Sequence, residues 1–175
     1  MDIILNSLQY TIPSIVVMLT AYLLIKQFID KELRQQKHDL LINNQKLITP
    51  VRLQAYERII LLLERISPEN LLTRVYTPGM KINVFKASLL QNIRSEFDHN
   101  LSQQIYISKE SWEVIKLAKE NTIKLLNIAA QNLGPSAEPN DLSRVILEMY
   151  IKVEAPPLKV AIEKLKKEFS DTFNE

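Results

Sequence analysis

The sequence contains no cysteine. Disulfide staples, thiolate nucleophiles, iron–sulfur ligation and cysteine-based zinc sites are excluded together. Histidine is scarce too, with only His38 and His99. The two glycines, Gly79 and Gly134, cannot supply a Walker loop or a dinucleotide fingerprint. Neither sign of charge dominates: 22 Lys and Arg stand against 20 Asp and Glu, a formal charge of +2. A nucleic-acid footprint needs concentrated positive charge, so nucleic acid is not an expected partner. Little glycine beside 8 prolines favours helices interrupted by a few hard breaks.

What is present is a long apolar run. Ile3 to Ile25 spans 23 residues without a formal charge, followed by Lys26. As a helix that is about 35 Å, against a bilayer hydrocarbon core of about 30 Å. Tyr10 and Tyr22 fall towards the two interfaces, and Lys26 snorkels to the headgroups. Pro13 lies near the start, where fewer backbone bonds are lost. A signal peptide would carry basic residues before the run and small residues after it; here Asp2 precedes it and AYLLIKQFIDK follows. An interfacial helix would show a charged face within the run. The run therefore predicts a transmembrane anchor. Lys26, Lys31, Arg34 and Lys37 on its C-terminal flank predict a single pass with the N-terminus outside and the remaining chain cytoplasmic.

The rest of the 175 residues suffices for one modest core. The expected division is an anchor over 1–30, a juxtamembrane stalk helix over 31–48 and a helical bundle over 49–175. Thr49-Pro50 reads as a capped helix start, opening a core helix with Val51, Ala55, Ile59, Leu62 and Ile66 on one face. Ser67-Pro68 repeats that start for a short helix through Tyr76, and Thr77-Pro78-Gly79 forms a turn. Lys81 to about Tyr106 reads as a helix with Val84, Ala87, Leu90, Ile93, Phe97, Leu101 and Ile105 in register. After Ser108 comes a helix patterned by Trp112, Ile115, Ala118, Thr122, Leu125, Ala129 and Leu133, stopped by Gly134-Pro135. Asn140 or Asp141 caps the next, with Leu142, Ile146 and Tyr150. A last helix, Leu158 to about Phe173, carries Leu165, Phe169 and Phe173. No alternation persists long enough for a strand. The fold class is all-α: an anchor and stalk, then a compact bundle of about five helices.

Chemistry is sparse. Glu96 and His99 have the Glu-x-x-His spacing of carboxylate-bridged metal bundles, but such a site needs a second pair, and Gln35 stands where His38 would require Glu. No nucleophile elbow or paired carboxylate stands out. Lys159, Lys164, Lys166 and Lys167 are interleaved with Glu163 and Glu168, a composition suited to a helix C-terminal half. No catalytic residue, metal or cofactor is expected, and the chain is not read as an enzyme. Trp112, Tyr106, Tyr150, Phe169 and Phe173 are the candidate interaction residues, the last two either latching the bundle or entering a partner.

The N-terminal span, the KQFIDKELRQQ stalk and the TPVRLQAYERIILLLERISPENLL segment resemble the uncharacterised single-span helical proteins of Bacteroidota-type bacteria. That resemblance implies a bacterial inner-membrane setting and supplies no catalytic residue. The expected role is a non-catalytic accessory or scaffold subunit, with the lipid bilayer and other integral membrane proteins as partners. A tethered lipid or small-molecule binding module, or a self-associating homo-oligomer, are the alternatives.

Overall fold

The computed structural model describes residues 2–134 and 136–173, and the side chains of 13–134 and 136–173 apart from residue 44. The ring of Tyr10 and the stop at Pro135 lie outside the described residues. Among the described residues six α-helices follow in order: α1 Asp2–Arg65, α2 Pro68–Val75, α3 Ile82–His99, α4 Lys109–Gln131, α5 Pro139–Ile151 and α6 Pro157–Phe173. A 3-10 turn, Leu101–Ile105, links α3 to α4. No strand occurs among the described residues. The chain is all-α, with a long N-terminal helix followed by five further helices.

Two compact units divide the chain, Met1–Thr49 and Pro50–Glu175. The first holds one helix near the N-terminus that is long and apolar enough to cross a membrane. Its apolar side chains from Ile15 to Ile29 are exposed.

Thr49-Pro50 corrects the sequence reading, because helix runs through both residues rather than starting there. Proline at that position removes the bond to the Lys46 carbonyl and crowds it, a penalty of about 3 kcal/mol. The runs on either side are rich in Leu, Gln, Lys and Arg, good helix formers, and carry the helix across one missing bond.

The second unit is built around α4, which packs against α3, α5 and α6, while α2 lies on α3 and α5. The α1 face contributes Ala55, Tyr56, Ile59, Leu62 and Leu63, all buried, with Ile66 buried just after its end; Val51 is exposed. Along α3 the buried residues are Phe85, Leu89, Ile93 and Phe97. The expected stripe shared only the last two, and Val84, Leu101 and Ile105 are exposed. Both registers are apolar at three-and-four spacing, and the larger Phe85 takes the core.

Helix α3 also ends earlier than expected. Asn100 closes it, donating through Nδ2 to the Glu96 carbonyl at 2.8 Å, and the chain tightens into the 3-10 turn. Ser108 caps α4, accepting from Ser111 N–H at 3.2 Å. The cap of α5 is Glu138, not Asn140 or Asp141. Its side chain accepts from the N3 backbone, and Asp141 accepts from Glu138 N–H at 3.0 Å. Pro139 at the first helical position forces the start two residues earlier. Gly79 takes φ +81°, the left-handed conformation this turn requires.

Candidate functional site

The most elaborate polar cluster in the second unit is centred on Glu168 of α6. The apolar spacing of Leu158, Ala161 and Leu165 carries position 168 onto the core side of its helix. Its carboxylate Oε1 accepts from the Tyr56 hydroxyl at 2.6 Å and from Ser108 N–H at 2.9 Å. Oε2 accepts from the Ser108 hydroxyl at 2.5 Å and from the Ser111 hydroxyl. One carboxylate thus ties α6 to α1 and to the N-terminus of α4, where negative charge is favoured. Burial opposes the Glu168 charge, but the hydrogen bonds from Ser108, Ser111 and Tyr56 outweigh it and hold the carboxyl below its ordinary range. Burial and the neighbouring carboxylate push the Tyr56 hydroxyl up. This arrangement is structural: every donor around Glu168 is already spent on holding helices together.

Beside it lies an open cleft of about 680 Å³ lined in part by Arg52, Lys164, Lys167, Glu110 and Asp171. Of the lysines foreseen as a small basic group, Lys164 and Lys167 thus share this cleft with Glu110, Glu168 and Asp171. Lys166 is paired with Glu163 at 2.8 Å.

A second polar cluster joins α1, α2 and α3. Arg65 and Arg74 both pair with Glu96 Oε1, at 2.6 and 2.9 Å. Arg74 also donates to the Arg65 carbonyl at 3.1 Å, closing the C-terminus of α1. Burial raises the Glu96 pKa, yet the two guanidinium groups prevail and bring it below the usual value. Glu96 is thus committed to arginine. Among the described residues no group of three or more His, Asp or Glu converges as a metal site. Arg58, Leu61, Arg65, Glu96 and His99 line an open groove of about 460 Å³ over this cluster.

The aromatic candidates occupy varied positions. Trp112 is buried and stacked on Phe97, with ring centroids 5.4 Å apart. Tyr150 is buried as well, and burial together with Glu69 and Glu64 raises its pKa. Phe169 and Phe173 are half-buried and meet the Tyr56 ring edge-on at 5.6 and 6.3 Å, while Arg52 lies over Phe173. Tyr106 is half-buried in the bend after the 3-10 turn. In the first unit, Lys26, Lys31, Arg34 and Lys37 are exposed along α1.

Sequence reasoning missed Glu168, Ser108 and Ser111 as a unit. The available signal was register: 158, 161, 165 and 168 form one stripe, so the carboxylate had to meet a polar partner. Arg65, Arg74 and Glu96 come from three helices, and no local pattern joins them.

Every buried side-chain nitrogen or oxygen among the described residues has a hydrogen-bond partner. A mainly apolar cavity lined in part by Pro68, Leu125, Tyr150 and Val153 measures about 140 Å³. No curated protein and no solved structure matches the chain. A family model does match, over residues 2–172, so nearly the whole of this helix-plus-bundle chain belongs to the family of unknown function DUF7935.

Proposed function

We propose that this protein is a non-catalytic accessory or scaffold subunit of a bacterial inner-membrane complex. The observation that carries the reading is the pairing, in one chain, of a membrane-length apolar helix with a separately packed helical unit that has its own buried apolar core. The span fixes location. The bundle offers a surface held rigid by the Glu168 and Glu96 clusters. Basic residues after the apolar run favour a cytoplasmic bundle and an external N-terminus.

The test is mass spectrometry of proteins that copurify with the chain, expressed at native level and extracted in mild detergent. Reproducible membrane partners at fixed stoichiometry are expected. Recovery of the chain alone, or only with copies of itself, would overturn the proposal.

A further inference from the structure

The groove between α1 and α3 has a chemistry of its own. It lies wholly within the second unit and is built from Arg58, Leu61 and Arg65 on α1, spaced three and four apart on one helix face, and from Glu96 and His99 on α3. Arg65 and Arg74 share a single carboxylate oxygen of Glu96, leaving one positive charge in excess. Arg58 adds another, and among the described residues no hydrogen bond or ion pair engages it. The groove's lining thus carries one net positive charge, Arg58 and Arg65 against Glu96, and Arg74, which pairs with Glu96 without lining the groove, adds a further cation, in a unit whose 17 Lys and Arg and 16 Asp and Glu nearly cancel. Between the cations, Leu61 stands 56% exposed.

We propose that this groove docks an acidic segment of a partner protein, with a carboxylate at Arg58 and the outer edge of Arg65 and an apolar side chain over Leu61. This rests on the subunit reading above and gives it a binding face. Charge complementarity selects the acidic partner. The exposed leucine at the centre selects a peptide over a phosphate backbone, whose contacts would be ionic throughout. A cleft of about 460 Å³ receives a few side chains, the scale of an anchor residue and its acidic neighbours. Glu96 holds the Arg65 and Arg74 guanidinium groups in place through one shared oxygen and leaves the Arg65 side chain 44% exposed.

The experiment uses the full chain in detergent micelles and a fluorescein-labelled peptide of alternating Glu and Leu, read by anisotropy. The expected result is saturable binding that weakens with salt and falls at least tenfold in Arg58→Glu and about threefold or more in Leu61→Ala. Both sites are exposed, so both variants keep the fold, checked by helical circular dichroism. Lys159→Glu makes the same change in net charge on α6 and leaves binding unaltered. Equal loss in Lys159→Glu, or equal binding of the matching Gln–Leu peptide, overturns the proposal. So does an oligonucleotide of equal charge bound in the same Arg58-dependent way. Copurification separates this inference from the subunit reading: partners retained in full by Arg58→Glu refute the groove and leave the subunit role standing.

Discussion

Replacing Glu168 probes the joint on which the bundle depends. In Glu168→Ala four hydrogen bonds to a carboxylate disappear, from the Tyr56 hydroxyl, Ser108 N–H and the Ser108 and Ser111 hydroxyls. Each charge-assisted bond is worth about 1.5–3 kcal/mol, but the sum overstates the loss. Ser108 still caps α4 through Ser111 N–H. The Ser111 hydroxyl can turn to its own helix, and the half-buried site admits water to replace part of the carboxylate. The donors left worst placed are Tyr56, 2% exposed, and Ser108 N–H. With about 1–3 kcal/mol for each buried group left unpaired, and partial relief by water, the expected loss is about 2–3 kcal/mol. Glu168→Gln keeps an acceptor and loses the charge, for about 1 kcal/mol. Urea unfolding of the full chain in a non-denaturing detergent measures both, with Trp112, the single tryptophan, as the fluorescent reporter. A Glu168→Ala variant within about 0.5 kcal/mol of wild type would refute the idea that this carboxylate clamps α6.

Acid should act through the same group. Glu168 and Glu96 are both held below their ordinary range, so the stability they contribute is present above that range and is lost as pH falls through their folded pKa values. The stability gap between wild type and Glu168→Gln is therefore expected to be full above the ordinary glutamate range and to narrow as pH falls below it, in parallel urea titrations. Gly79→Ala meets no atom within 4 Å and so suffers only from its φ of +81°, a loss of about 1 kcal/mol in the same assay. Leu89→Ala, at a fully buried position, is expected to lose about 2–5 kcal/mol. Pro50→Ala restores one helical bond to the Lys46 carbonyl, and amide exchange around residues 46–54 should slow correspondingly.

Much of the helical order was legible in the sequence because its punctuation is local. Ser67-Pro68, Thr77-Pro78-Gly79 and Ser108 mark boundaries by chemistry that acts over a few residues. Pro50 misled because the same residue that begins one helix can be carried inside another when its flanks are strongly helical. Glu138 was overlooked as a cap because Asn and Asp are the commoner capping residues, and Pro139 outweighed that preference. The α3 register was ambiguous, since Val84 and Phe85 head competing apolar stripes and only tertiary packing chooses between them. The polar clusters were the least legible. Tyr56 and Glu168 are 112 residues apart, and Arg65 and Glu96 31 apart, so nothing in either neighbourhood announces its partner.

The central claim is that a membrane-anchored helical unit serves as one part of a larger assembly. Native mass spectrometry of the complex purified from its own membranes tests it most directly. The account predicts a defined mass well above the 20.3 kDa of this chain, containing different membrane proteins in fixed ratio. A species at 20.3 kDa, or at whole multiples of it, would contradict the account.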